Sequence, residues 1–278
     1  MINMIKADFF RLMRSKGIVI AFVFIMAMIA TDIYTVQPGS IGVHVNTGNS
    51  VENEISDMSY EEIQALSISE YRKIMLETKG YALDRAVLSA NINLYYAFIF
   101  VAVIVITADF SASTVKNTLS SAISRNKYFF SKIAVVNICC LGLLFLNTYI
   151  MYFSNLIFNN RNLASSLGTV TKITLLQLPP ILALVSVLTG FAFLLKKTAV
   201  FNTVAIPFIM VFQLLLSVLT MVFKIKEETL YYVPHMMFIK LSQNPSGHYI
   251  FYSYLVCAAM IVMFNLLGLL SFKKTEIK

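Results

Sequence analysis

Three histidines, three cysteines and two pairs of adjacent glutamates carry the side chains in this sequence suited to a metal site, a nucleophile or an acid–base pair. A zinc site needs a run such as H-E-x-x-H, or ligands spaced to close on one ion. His44, His235 and His248 are scattered and make no such set, so each reads as an ordinary polar or interfacial residue. Cys139 and Cys140 are adjacent, and neighbouring side chains on a helix diverge by about 100°. That geometry excludes an ordinary disulfide between them. Both lie in an apolar run, as does Cys257, and all three read as small apolar residues. No spacing sets a serine or cysteine beside a general base. The sequence contains no G-x-x-x-x-G-K-[ST] loop to cradle phosphates. No catalytic residue and no metal ligand is therefore assigned, and any ATP chemistry is expected on another chain.

Glu61-Glu62 and Glu227-Glu228 resemble the glutamate pair of abortive-infection type intramembrane proteases, which use E-E-x-x-x-R. Neither pair has Arg at that offset, and both fall between apolar runs rather than within them.

The elements that must position any site are membrane spans. Of the 278 residues, 58% are hydrophobic and 13% charged, and the mean hydropathy is +0.75, far from the soluble average. At roughly 20 residues per span, the length fits an all-α protein of six transmembrane helices plus one sizeable extramembrane region. The net charge of +8 does not point to nucleic acid, because it follows the spans. Segments assigned inside hold 13 Lys+Arg and 3 acids, against 9 and 10 outside, which is an orientation signal.

Residues 108–128 are a polar stretch between the apolar runs 94–106 and 133–153. Lys116, Arg125, Lys127 and the following Lys132 face one acid, Asp109, which predicts a cytoplasmic joint. Val115, Leu119 and Ala122 recur at spacings of four and three, the pattern of one helix face. Periodicity alone leaves two readings open, a short helix lying flat to meet a partner and a solvated loop with a helical turn.

Asp109-Phe110-x-x-x-Thr114-x-Lys116-Asn117-x-Leu119, followed by Ser124-Arg125-x-Lys127-x-x-x-x-Lys132, resembles the segment after the second span of type-2 ATP-binding-cassette exporter permeases. The resemblance departs at two places: Asp109 stands where Glu is more usual, and Ala112-Ser113 replaces the usual Gly before Thr114. Loss of that glycine is expected to bear on the turn. What the resemblance implies is a coupling helix that docks on a separate ATPase subunit, with ATP and Mg bound there and no cofactor on this chain. Val115, Leu119 and Ala122 would form the apolar docking face. Asp109, Thr114 and Lys116 would set the turn or make polar contacts, and Arg125 and Lys127 would anchor the inner interface.

The remaining elements follow in order. Residues 1–16 read as an interfacial amphipathic helix with Ile2, Ile5, Phe9 and Leu12 on one face and Lys6, Arg11, Arg14 and Lys16 among the polar positions. A basic elbow helix at this place also belongs to the resemblance. Span 1 is 17–36, retained because no A-x-A site closes it. Asp32, about 21 Å along it from Ile18, reaches the outer headgroups or serves translocation. Residues 37–90 are external, with turn chemistry first and then capping boxes at Ser59-x-x-Glu62 and Ser67-x-x-Glu70.

Span 2 is 91–108, the coupling region 109–127, span 3 128–156 and the next external loop 157–171. Span 4 is 172–195, bent or delayed by Pro179-Pro180. Span 5 is 199–223, with Pro207 as a kink that serves a gate or packing. Residues 224–249 are external, and their apolar piece MMFIKL dips into the interface. The resemblance implies a partly re-entrant segment there. Span 6 is 250–272 and the tail 273–278 is basic, so both termini are expected on the cytoplasmic side.

Spans 2–6 hold no Asp, Glu, Lys or Arg near their centres, which disfavours proton or sodium coupling. Together with the resemblance this predicts the permease subunit of a bacterial plasma-membrane exporter, paired with itself or a homologue. Its substrate would be hydrophobic or amphipathic, a peptide toxin or bacteriocin in export or immunity, or a drug. The alternative is a non-transport membrane immunity or sensor protein without an ATPase partner.

Overall fold

The computed structural model describes residues 2–36, 88–120, 123–158, 166–223, 227–243 and 245–274, and among these every regular element is helical. Helix α1, Ile2–Arg14, turns through 63° into α2, Lys16–Val36. Helix α3, Asn91–Ser111, begins within a short 3-10 turn at Ser89–Asn93. Then come α4, Thr114–Ser120, and α5, Arg125–Phe158. Helices α6, Leu167–Leu176, and α7, Leu178–Leu195, are separated by one residue. Helix α8 is Thr198–Phe223, α9 is Pro234–Ser242 and α10 is Gly247–Lys274. Among the described residues, five helices are long and apolar enough to cross a bilayer, six if α1 and α2 count as one bent span, as in an all-α membrane protein.

Helix α3 is the hub. Tyr95, Ala97, Phe98, Val101, Ala102, Val105 and Ile106 are buried around most of its circumference, and α2, α5, α7 and α8 all pack on it. Helix α7 is buried at least as completely and packs most extensively on α10. There Gly190 lets the backbones meet: a Cβ on it would stand 2.8 Å from the Phe264 carbonyl oxygen. Such small-residue contacts suit helix pairs in lipid, where packing drives association. Helices α8 and α10 turn most of their apolar side chains outward.

Pro179-Pro180 begins α7 rather than bending a single helix, and the break falls at Gln177. A proline cannot donate to the carbonyl four residues back, so Pro180 leaves the Leu176 carbonyl short of a donor. Tyr254 of α10 supplies one at 3.1 Å. The buried Gln177 side chain accepts from Asn91 Nδ2 at 2.6 Å and donates to the Leu88 carbonyl at 3.0 Å. Asn147 of α5 donates to Asn91 Oδ1 at 3.0 Å. This amide cluster ties α3, α5 and the α6–α7 break at the end away from α1, and every bond in it satisfies a group that burial would otherwise penalise.

The apolar piece MMFIKL forms most of α9 and buries Met237, Phe238 and Leu241 against the start of α3, α6 and α7. Residues 37–87 of the expected external segment, with both capping boxes, His44 and Glu61-Glu62, lie outside the described residues, as do residues 159–165 of the loop 157–171.

Candidate functional site

Four charged side chains and a tyrosine meet where α1, α3 and α5 converge. Asp8 and Arg11 sit three apart on α1, and Tyr128 and Lys132 four apart on α5, so each pair shares a helix face. Asp109 is in the last turn of α3. Lys132 Nζ lies 2.6 Å from Asp8 Oδ1 and 2.6 Å from Asp109 Oδ2. The Tyr128 hydroxyl donates to Asp109 Oδ2 at 2.8 Å, and Arg11 pairs with the other oxygen of Asp109. Arg11 Nη2 also lies 3.2 Å from Asp8 Oδ1. Asp109 is 3% exposed, Lys132 2% and Asp8 8%. Two acids face two bases, and that neutrality is what makes such burial tolerable. One acceptor, Asp8 Oδ2, and one donor, Arg11 Nε, stay buried without partners. Burial works against the Arg11 charge, but its hydrogen bond to Asp109 and the field of both aspartates outweigh it and hold the guanidinium above its ordinary pKa.

The neighbouring Phe110 points a different way. Its ring meets Phe193 and Phe272 edge-on, each at 6.0 Å, while Tyr128 stacks on Phe272 at 5.5 Å and Phe129 lies 4.6 Å from Phe193. The acid–aromatic pair thus divides its work. Asp109 ties α3 to α1 and α5, and Phe110 ties it to α7 and α10.

After Ser111 the chain turns through Ala112-Ser113 into α4. Ser113 has φ 56°, the left-handed region that favours glycine. The turn is made without the glycine, and serine carries its conformation.

Helix α4 carries two residues of the expected docking face. Val115 is 2% exposed, and it and Leu119 pack into the chain's own core. The apolar stripe is spent internally because it is the cheapest surface for the short helix to bury. The exposed side chains are Ala112, Ser113, Lys116, Asn117 and Ser120, while Thr114 is partly buried and its carbonyl accepts from Thr118 Oγ1. Ala122 lies outside the described residues. Arg125 donates to the carbonyls of Phe272, at 3.3 Å, and Lys273, at 2.5 Å. That places a cation on the C-terminal end of α10, where the helix dipole is negative. Lys127 is exposed.

The apolar residues expected on one face of α1 differ in burial. Leu12 and Asp8 are buried with Met4 and Ile5 partly so, while Ile2 and Phe9 are exposed beside Lys6 and Arg14. The inward face is mixed because it carries the Asp8–Arg11 pair to Asp109. Sequence reasoning missed Asp8, Arg11 and Tyr128 as members of this cluster. The available signal was the three-residue spacing of Asp8 and Arg11, an intrahelical pair on a helix whose hydrophobic face otherwise accounted for it.

Asp32 lies on α2, but its side chain is outside the described residues. Pro207 is exposed within an uninterrupted α8. Two residues before it, the Ala205 carbonyl accepts from the buried Tyr95 hydroxyl at 2.8 Å. The three cysteines are free and buried, and among the described residues no cluster of His, Cys, Asp or Glu is arranged to hold a metal. Away from α1, Ile92, Leu184, Phe208 and Phe212 line a shallow apolar crevice between α3, α7 and α8, with His235 at its rim. Burial lowers the His235 pKa.

The chain matches no protein-family model and no curated protein.

Proposed function

We propose that the chain is the membrane permease subunit of an ATP-binding-cassette exporter, with hydrolysis on a separate ATPase. The observation that carries the reading is how α4 is mounted. Its inner face is packed into the bundle through Val115 and Leu119, and the α3 end that leads into it is held by Asp109 and Phe110. A push on the exposed Lys116–Asn117 face therefore moves α3 and α5 rather than a slack loop. In this reading the partner ATPase meets that polar face, and the apolar stripe transmits the motion inward.

The basic end is then cytoplasmic, in keeping with the charge asymmetry, and α1 lies in the inner interface as the elbow before α2. The outward faces of α2, α8 and α10 meet lipid or a second copy. On α8 that face mixes Thr203, Gln213 and Ser217 with Met210, Leu214 and Val218, a lining suited to an amphipathic peptide or drug.

Affinity purification from native membranes through a C-terminal tag tests the reading. The expected result is a co-purifying chain that carries its own phosphate-binding loop, in near-equal amount, whose recovery falls with Lys116→Glu while the permease itself stays monodisperse. Recovery of the permease without such a chain, under mild detergent and with nucleotide, would replace the exporter reading with a stand-alone membrane immunity or sensor protein.

A further inference from the structure

Helix α3 is α-helical over Leu94–Ala102 and Ala108–Ser111 but π-helical between them, over Val103–Thr107. A π turn closes on the residue five back rather than four, so it absorbs one residue more than an α turn. Here the Ala108 N–H bonds to the Val103 carbonyl. In an α-helix that N–H would bond to Ile104. Arg11 takes up the displaced acceptor, because its Nη2 lies 3.2 Å from the Ile104 carbonyl and 3.4 Å from that of Val105. The same guanidinium pairs with Asp109, the residue that follows the π segment. Arg11 thus touches the irregular turn and the carboxylate whose direction that turn sets.

Were the surplus residue taken up into regular α-helix, everything after Thr107 would rotate by about 100° and advance by about 1.5 Å. Asp109 would then leave Lys132 and Tyr128, and α4 would turn with it. We infer that Arg11 is a positioning residue that holds α3 in its π register, and that release of Arg11 lets α3 relax to the α register and swing the α4 segment. The cluster is one hydrogen-bond donor and one acceptor short of complete satisfaction, which lowers the cost of parting it. Two further hydroxyl contacts report the register, since Thr198 of α8 lies 3.1 Å from Thr107 and 3.2 Å from Ser111, one turn apart. The mechanical meaning of this device rests on the exporter reading, but its existence does not.

The test is a disulfide between Ser111→Cys and Thr198→Cys in a chain whose Cys139, Cys140 and Cys257 are replaced by alanine, reconstituted alone in lipid nanodiscs. The parent should oxidise readily. Arg11→Ala removes charge-assisted hydrogen bonds, so the disulfide-linked fraction at short oxidation times should fall about tenfold. A second pair, Ser186→Cys with Asn265→Cys, joins α7 to α10 where the native side chains are 3.1 Å apart, and it should form unchanged. The decisive variant adds deletion of Val103 to Arg11→Ala. With the surplus residue gone, the α register itself returns Ser111 to Thr198, and the disulfide should recover. A general loss of packing would not be rescued by shortening the helix. Arg11→Ala that cross-links like the parent, or a deletion that fails to restore the lost cross-link, overturns the inference. No ATPase is present, so failure to find a partner chain would sink the exporter reading and leave this result standing.

Discussion

Lys132 Nζ stands 2.6 Å from Asp109 Oδ2, with the two side chains 3% and 4% exposed. Removing one partner of a buried pair strands the other charge, at a cost of about 3–5 kcal/mol. Lys132→Met should therefore be strongly destabilising, since it leaves Asp8 and Asp109 facing Arg11 alone. Adding Asp109→Asn returns the cluster to one acid and one base, and the double variant should be more stable than Lys132→Met. All three thiols are buried, so unfolding can be followed with a thiol-reactive dye. Additive losses would show that the two side chains are energetically independent.

Among the described residues, two non-glycine residues sit at positive φ, Ser113 at 56° and Lys196 at 60°. Lys196 is the centre of the tight α7–α8 turn, in which the Lys197 N–H reaches the Leu195 carbonyl at 2.6 Å, a γ-turn of the strained hand. Left-handed backbone costs an L-residue roughly 1–2 kcal/mol, and glycine returns part of that through its larger unfolded-state entropy. Ser113→Gly and Lys196→Gly should each raise stability by about 0.5–1 kcal/mol, read as a higher unfolding midpoint in the same dye assay.

These turns mark where the sequence was informative and where it stopped. The long apolar runs make helix existence legible, and the predicted spans 128–156 and 199–223 lie close to α5 and α8. Pro179-Pro180 read as a bend or delay in span 4, and neither the break at Gln177 nor the use its buried side chain makes of it was foreseen. The acid–aromatic pair stood out in the sequence, but its contacts did not. Asp109 finds Arg11 ninety-eight positions away, and nothing local in either segment encodes that meeting. The spacing of Val115, Leu119 and Ala122 predicted one helix face, yet periodicity cannot say whether an apolar face meets a partner or its own core, where Val115 and Leu119 pack. The π segment is invisible in a run of β-branched residues that suits any helical register.

Gly190 and Gly142 should respond oppositely to alanine. At Gly190 a Cβ would meet the Phe264 backbone oxygen at 2.8 Å and its Cβ at 3.2 Å. Backbone cannot swing aside, so α7 and α10 must separate, and overpacking of this kind costs about 1–3 kcal/mol. At Gly142, within α5, nothing lies within 4 Å, and alanine should gain about 0.5–1 kcal/mol of helix propensity. Unfolding midpoints shifted the same way by both substitutions would refute the close contact between α7 and α10.

His235 gives the fold a pH dependence whose sign follows from its burial. Desolvation lowers its pKa in the folded chain, so below about pH 6.5 the unfolded chain binds a proton that the folded chain resists. Stability linked to His235 is then fully present above that value and falls as the pH drops toward the lower folded pKa. The unfolding midpoint should decline between neutral pH and pH about 5.5, and His235→Gln, which keeps a polar side chain without a titrating ring, should flatten that part of the profile. An unchanged slope in the variant would show that protonation elsewhere governs acid stability, and it would remove His235 from the rim of the crevice as a group that burial keeps neutral.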